Sequence, residues 1–425
     1  MFDRPRSGER CLLLHVGVRR PGQPDELAEF KALAISAGAE VVAELRAQIA
    51  RPSARYFVGQ GKVEEVAEAV RTSGAELVLV NQPLGASQER NLEQALKTRV
   101  LDRNGLILDI FAQRAASFEG QLQVELAQHE HLATRVVRGW THLERQKGGI
   151  GLRGPGETQL EIDRRLIDKR IRRLKTKLAR VERQHAVNRR ERERTRIPTV
   201  AIVGYTNAGK TMLFNALSGA RLEAKDQLFA TLDPTIRRLA IDPGEHVLLV
   251  DTVGFVRDLP HELIAAFRAT LAETRDAALL LHVIDASDPH YEDRMRQVEG
   301  VLAEIGASDV ETIRVYNKID RVEGGDRAVN EGNARIAVSA ATGAGLQALI
   351  REIRTRVIGR PLSGQLDLGP EQSRIRAKLF DWHAVLREEC KATGGWTIDV
   401  ELSARRWREL CEAEGLSSQS VRQKT

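Results

Sequence analysis

Along the first 112 residues, short apolar runs alternate with amphipathic stretches. The runs at 11–18, 39–45, 75–80 and 107–111 predict strands, and the stretches at 25–37, 62–73 and 86–97 predict helices. Strands and helices in alternation make residues 1–112 a small α/β domain. The pattern then changes. Gln121 to Arg145 reads as one helix, Gly148, Gly149, Gly151, Gly154 and Gly156 interrupt it, and helical periodicity resumes from Glu157 to about Arg190. Ile167, Ile171, Leu174, Leu178 and Val181 recur at spacings of 4, 3, 4 and 3, which is a heptad seam. Two helices about a glycine-rich loop predict an antiparallel hairpin over residues 113–196. Its second arm, some thirty residues, would be ~45 Å long. Gln184 to Arg196 is rich in Arg and Glu with no apolar face, and reads as a linker or helix end.

From 197 to 358 buried-strand runs again alternate with helical stretches. Pro198 to Val203, Val247 to Val250, Ala277 to Ile284, Ile313 to Tyr316 and Ile336 to Val338 are the strands. Residues 359–425 form a small C-terminal module, with a strand at Trp396–Leu402 after the Gly394-Gly395 turn and a closing helix at Ala404–Glu414. The fold class is α/β: an N-terminal α/β domain, a long antiparallel helical hairpin, a domain with a mixed, doubly wound sheet, and an α+β C-terminal module.

The net charge of +6 conceals an asymmetry. Residues 163–196 carry 15 Lys/Arg against 5 Asp/Glu, a net of +10, so the remainder of the chain is at −4. A charge run in isolation is most simply a solvated helix face. Concentration of the whole positive excess in one arm suggests a polyanionic partner. Cys11, Cys390 and Cys411 are far apart and show no metal-ligand spacing, so reduced thiols are expected. No apolar run approaches 18 residues and the N-terminus lacks the pattern of a signal peptide, which together predict a soluble cytoplasmic protein without a transmembrane segment.

Four motifs then fall in order. Gly204-Tyr205-Thr206-Asn207-Ala208-Gly209-Lys210-Thr211 has the form G-x-x-x-x-G-K-[ST], between a predicted strand and a predicted helix. Its glycines let the backbone approach phosphates, whose charge faces backbone N–H groups and a helix N-terminus. Lys210 is expected on the β- and γ-phosphates, and Thr211 is expected to give its hydroxyl to Mg²⁺. Asp251-Thr252-Val253-Gly254 ends an apolar run, placing a carboxylate where it can hold a magnesium-bound water and the Gly254 N–H where it can sense a γ-phosphate. Asn317-Lys318-Ile319-Asp320 selects the base: a carboxylate accepts two hydrogen bonds from guanine N1 and N2, and adenine offers no such pair. Ser339-Ala340-Ala341 would support the base from the other side. The four together describe a P-loop GTPase domain that binds GTP or GDP with Mg²⁺.

The chain also resembles the HflX family, translation-associated GTPases of bacteria, over essentially its whole length. The resemblance is carried by Leu101-Asp102-Arg103, Ile107 to Arg114, Gln123 to Gln128, the glycine-rich stretch Gly148 to Glu161, Val253 to Thr270, and Phe229-Ala230-Thr231-Leu232-Asp233-Pro234-Thr235. Two positions depart from it: Thr211 stands where the family usually has Ser, and Met212 where Thr is frequent. The resemblance implies a ribosome-binding GTPase on the large subunit and its ribosomal RNA. It would split stalled or idle ribosomes under stress, with the hairpin tip directed toward the peptidyl-transferase region. It also implies that Thr231 is the switch threonine that closes on Mg²⁺ and the γ-phosphate, with Thr235 as runner-up, and that Phe229 to Asp233 line the nucleotide.

Phe255 stands where many small GTPases place a water-orienting Gln, so intrinsic hydrolysis is expected to be slow; equally, Phe255 packs beneath the switch helix. His261 reads as structural or surface, His129 and His131 lack ligand partners at metal spacing, and the four tryptophans read as core. The expectation is a monomeric GTPase, with no DNA partner, that dissociates ribosomes. Two alternatives stay open: an RNA-remodelling, helicase-like NTPase, and a GTP-regulated ribosome storage or assembly factor without splitting activity.

Overall fold

The computed structural model describes residues 8–18, 26–139, 155–194, 197–220, 228–229, 231–242, 245–257, 263, 268–322, 335–359, 362–391, 394–414 and 422–423. Strands β1 (Arg10–Val18), β2 (Glu40–Ile49), β3 (Leu77–Val80) and β4 (Arg99–Asp102) form an all-parallel sheet in the order β2-β1-β3-β4. Alternation along β1 divides its side chains between two faces. Leu12, Leu14 and Val16 pack beneath α2 (Gln60–Ser73) and α3 (Ala86–Leu96), against Val63, Val66, Leu92 and Leu96. Cys11 and Leu13 pack on the opposite face with Phe30 and Leu33 of α1 (Glu26–Ser36).

One expected strand is a helix. Residues 107–111 lie inside α4 (Arg103–Arg114), and the fourth strand is the short β4 before it. Leu106 to Phe111, Asp109 included, are all buried, so this run has no exposed side to give it a helical period. A short run buried all round does not distinguish helix from strand. Asp102 decides it: its Oδ1 accepts from the Gly105 N–H at 2.8 Å, an N-cap that starts the helix. Its Oδ2 accepts from Leu84 N at 3.0 Å and from the Arg135 guanidinium at 2.8 Å.

Arg135 belongs to α5 (Phe118–Gly139), which pairs with α6 (Pro155–Arg194). Leu122 and Leu126 of α5 close on Leu174 and Leu178 of α6, with Ile171 partly buried beside them. The seam read from the sequence is thus sealed at its centre, while Ile167 and Val181 stay half-buried. Ion pairs Arg170–Glu125 and Lys175–Glu130 flank it. At 40 residues α6 is ~60 Å long, longer than expected, because it runs through Gln184 to Arg194 where a linker or helix end was foreseen. Arg, Glu, Gln and Ala dominate there and no Gly or Pro intervenes, so propensity continues the helix. The glycine-rich run falls, up to Gly154, outside the described residues.

A second sheet contains β5 (Thr199–Gly204), β6 (Thr235–Asp242), β7 (Glu245–Asp251), β8 (Leu279–Asp285), β9 (Thr312–Asn317) and β10 (Arg335–Ala337), in the order β10-β9-β8-β5-β7-β6. All pairs are parallel except β6 with β7. Helices α7 (Lys210–Ser218), α8 (Arg268–Arg275), α9 (Tyr291–Glu304) and α10 (Leu346–Val357) accompany it. A third sheet, antiparallel, orders β11 (Leu362–Leu368), β12 (Val385–Cys390), β13 (Trp396–Leu402) and β14 (Arg422–Gln423) as β12-β13-β11-β14. Helices α11 (Ser373–Asp381) and α12 (Ala404–Glu414) cover it, and Trp382, Trp396 and Trp407 pack around its core. Ser403 Oγ donates to Glu245 Oε1 at 2.6 Å, tying this module to the start of β7. No helix among the described residues is long and apolar enough to cross a membrane.

Asp102 is 1 % exposed and holds β4, α4 and α5 together. Asp102→Ala leaves two buried backbone amides without an acceptor and takes one of two carboxylates from Arg135, which keeps Glu89. It is expected to cost about 2–4 kcal/mol, the sum of about one to three for each of a few buried groups left unsatisfied. Urea unfolding checks this; a loss below about 1 kcal/mol would show that the junction is not sensitive to this carboxylate.

Candidate functional site

β5 is a central strand, and its carboxyl end is where an open α/β sheet presents ligands. Gly204 ends that strand with φ +153°, and Gly209 begins α7 with φ +91°. A Cβ at Gly204 would overlap the Val283 carbonyl, and one at Gly209 would overlap the Asn317 side-chain amide. The two glycines are therefore demanded by the neighbouring strand and the base-side turn as well as by any phosphate. Lys210, the next residue, is buried, and its ammonium donates to the Tyr205 carbonyl at 2.8 Å. Burial pulls the Lys210 ammonium down to about 8, partly opposed by Asp251.

Asp251 ends β7 and is wholly buried. Its Oδ2 accepts from Thr211 Oγ1 at 2.8 Å and from Thr231 Oγ1 at 3.0 Å, and the two hydroxyls lie 2.7 Å apart. Asp251 Oδ1 has no hydrogen-bond partner among the described residues. Burial raises the carboxyl, while Lys210 and the two threonines oppose that shift. Two hydroxyls and a carboxylate with one unused oxygen form a hard-oxygen set, the donor class that Mg²⁺ takes. Thr235, the alternative switch threonine, is the first residue of β6 and pairs in register with Asp251. Thr231 is the one of the two that the structure brings to the Asp251 Oδ2.

Thr252 donates to the Ile202 carbonyl at 2.6 Å, fixing the turn after β7 to β5. Phe255 continues that turn as a short ladder on the phosphate loop: its N–H donates to Gly204 O at 3.2 Å, and its carbonyl accepts from Thr206 N at 2.7 Å. Its ring is 1 % exposed, in an apolar core that also contains residues of α1 and α4. The ring therefore faces inward. Gly254 lies between Thr206 and Lys210, and a Cβ there would stand 2.8 Å from Thr206 Cγ2.

The base-side residues converge from two strand ends. Asn317, 1 % exposed, donates to Ala208 O at 2.9 Å and accepts from Ala340 N at 3.0 Å. It thus joins the phosphate loop to the Ser339-Ala340-Ala341 turn. Ser339 Oγ donates to Asp320 Oδ1 at 2.6 Å, holding an otherwise exposed carboxylate. Lys318 has left-handed backbone, φ +64°, and its ammonium bonds Asn207 O and Asp285 Oδ2, each at 2.7 Å. Asp285 was not foreseen. The signal was present, since it ends the β8 apolar run in register with Asn317.

Other expected residues are placed differently. The Tyr205 hydroxyl leaves the loop, donates to Glu29 Oε2 at 2.6 Å and accepts from Arg257 N at 2.9 Å. Burial and the Glu29 carboxylate push that phenol well above its usual range. Arg103 bonds both Glu29 and Arg257 O, at 2.5 and 3.1 Å. Nothing in the sequence links Glu29 to residues more than 170 positions away. Phe229 and Leu232 are buried in the shared core, and the Asp233 carboxylate bonds the amides of Ala116 and Ser117 rather than facing the phosphate loop. Ala230 and His261 lie outside the described residues. His129 Nδ1 lies 2.8 Å from the Glu125 carbonyl of its own helix.

A phosphate loop on a doubly wound sheet, a buried lysine, two hydroxyls on a strand-end carboxylate and an N-K-x-D turn define a P-loop GTPase. Known proteins agree. Residues 24–112 match the family model "GTP-binding GTPase N-terminal", 114–192 match "GTP-binding GTPase Middle Region", and 199–318 match "50S ribosome-binding GTPase". GTPase HflX of Escherichia coli (strain K12) is 49 % identical over 97 % of this chain and 98 % of its own, and GTPase HflX of Magnetococcus marinus is 46 % identical over 95 % and 94 %. A GTP-binding protein of the archaeon Sulfolobus solfataricus, solved with GDP, is 24 % identical with a TM-score of 0.42, covering 82 % of this chain and 98 % of that one. The chain belongs to the HflX GTPase family.

The lowered Lys210 ammonium has a measurable consequence. A phosphate needs it protonated, and in the free protein the proton is lost as pH rises through about 8. GDP affinity is therefore expected to be flat below that pH and to fall up to about tenfold per pH unit between 8 and 9, the slope for uptake of one proton. Calorimetric titration between pH 7 and 9 checks the sign; affinity unchanged at pH 9 would exclude it.

Proposed function

We propose that this protein is a GTP-hydrolysing factor that binds the large ribosomal subunit and dissociates stalled or idle ribosomes. The observation that carries the nucleotide part is the convergence of Thr211 and Thr231 on Asp251 beside Lys210. In this reading the loop from Gly204 to Thr211 cradles the phosphates and Lys210 contacts the β- and γ-oxygens. Thr211 and Thr231 supply the hydroxyls that hold Mg²⁺, with Asp251 behind them; bound there, the ion would neutralise phosphate charge. Gly254 N–H faces the γ-phosphate. Loss of that phosphate removes what Thr231 closes on, which is the order–disorder basis of such switches. Asn317, Asp320 and Ser339 hold guanine.

The ribosomal part is supported by the family model over residues 199–318, described as a 50S ribosome-binding GTPase, and by the hairpin. Every Arg and Lys from Arg164 to Arg183 on α6 is exposed, a basic face suited to ribosomal RNA. In this reading the charge of the arm anchors the protein on RNA, and the glycine-rich stretch from Gly148 to Gly156 does the dissociating.

Base choice rests on the Asp320 carboxylate. Asp320→Asn turns a double acceptor into a donor and an acceptor, which mismatches guanine N1–H and suits xanthine. Competition binding should show XTP preferred over GTP by the variant; retained GTP preference would remove Asp320 from the base site.

Sedimentation of ribosomes with the protein under GTP, GDP and a non-hydrolysable analogue tests the whole reading. Subunits are expected to separate with the analogue and not with GDP. Reversing charge at Arg172, Arg173 and Lys177 should weaken binding and reduce the slope of log affinity against log salt by about 2–3, near one per lost phosphate contact. Binding without separation would favour the storage or assembly role, and an unchanged slope would place the RNA contact elsewhere.

A further inference from the structure

The segment around Thr231 is fastened at both ends to the N-terminal half of the chain. Upstream, the Phe229 ring packs on Phe111 of α4 with centroids 4.6 Å apart, and Leu228 N donates to Ser36 Oγ at 3.3 Å. Downstream, Asp233 closes around the start of the hairpin. Its Oδ2 accepts from Ala116 N at 3.0 Å and Ser117 N at 2.7 Å, and its Oδ1 accepts from the Ser117 hydroxyl. Ser117 is in turn the cap of α5, since its Oγ accepts from Gly120 N at 2.9 Å. A carboxylate at that point is also favoured by the helix dipole. Thr231 lies between the two fastenings, with its hydroxyl on Asp251 and Thr211.

We propose that Asp233 is a positioning residue that couples the nucleotide state to the hairpin: by gripping the first turn of α5 it holds Thr231 in the closed position that a triphosphate favours. The inference rests on the nucleotide reading above and goes beyond it. The free energy is reciprocal. A γ-phosphate that retains Thr231 also retains Asp233 on the α5 cap, and a disturbed cap weakens triphosphate binding. Diphosphate binding, which makes no use of Thr231, is indifferent to the cap. The site and the hairpin thus communicate through two residues of one strap, with no movement of a whole domain required.

Gly120 provides the test, because it is outside the nucleotide motifs and in the first turn of α5. A methyl group there would overlap the Asp233 Oδ1, and that carboxylate cannot yield without losing its two amide bonds. Alanine also favours a helix over glycine, which offsets part of the bonding lost at the cap, and a melting curve checks that Gly120→Ala stays folded. In the full-length chain, Gly120→Ala and Asp233→Ala are each expected to weaken a non-hydrolysable GTP analogue by about fivefold or more, with GDP affinity within about twofold of the parent. Hydrogen exchange supplies a readout independent of affinity. In the parent, the amides of Ala116 and Ser117 should exchange more slowly with the GTP analogue than with GDP, and Asp233→Ala should erase that difference. Parental affinities for the two nucleotides report on the nucleotide site by themselves, so a failure there is distinct from a failure of coupling. An unchanged GTP-to-GDP affinity ratio in both variants, or equal exchange at those amides in the two nucleotide states of the parent, would overturn the proposal.

Discussion

One apolar core joins the N-terminal sheet to the nucleotide-binding sheet, and the arrangement of the functional residues depends on it. Leu13, Leu79, Phe30 and Ile110 on one side continue without a break into Val203, Phe229, Val250, Phe255 and Leu280 on the other. Close-packed interiors transmit displacement instead of absorbing it. Phe229, on the segment that carries Thr231, packs on Phe111 of α4, and Phe255, on the turn after β7, is buried in the same core. The apolar middle of α4, Leu106 to Leu108 with Ile110 and Phe111, is buried in that core.

A polar layer lies beside that core. Tyr205, Glu29, Arg103 and Arg257 form a closed set of hydrogen bonds linking the phosphate loop, α1, α4 and the residue that follows Val256. The cost of desolvating Glu29 and Arg103 offsets most of their mutual attraction, so the pair adds little net stability. Its consequence is geometric. Directional bonds in a buried setting specify one docking of the two halves, where an apolar face alone would accept several. The hairpin is joined at the same place: Asp102 caps α4 and binds Arg135 of α5, and Asp233 grips the turn just before α5. The phosphate loop, the segment that carries Thr231 and the hairpin base are therefore bonded into one neighbourhood, while the charge that would meet a polyanion lies further along α6.

How much of this was legible follows from the range of each interaction. The phosphate loop, the strand-end Asp251 and the N-K-x-D turn are contiguous strings whose chemistry is local, and the spacing of apolar residues placed the strands that carry them. The heptad seam was legible because its period is intrinsic to one helix. Residues 107–111 were misread because burial on every side removes the period that separates helix from strand. The continuation of α6 through Arg194 went unseen because a helix without an apolar face leaves only propensity as a signal.

What the sequence determined by itself is thus the set of parts: a guanine-nucleotide constellation in order along the chain, a basic helical arm, and the strands and helices around them. Only the tertiary structure decided how the parts are wired. Asp233 stands in a string that reads as nucleotide lining, yet its carboxylate is spent on amides 116 and 117 positions away. Tyr205 sits inside the phosphate loop, yet its hydroxyl serves Glu29. A single chain cannot announce such pairings, because a carboxylate or phenol has the same chemistry wherever it points. The partner is chosen when the shared core brings distant segments within hydrogen-bonding distance and leaves a buried polar group no other way to be satisfied.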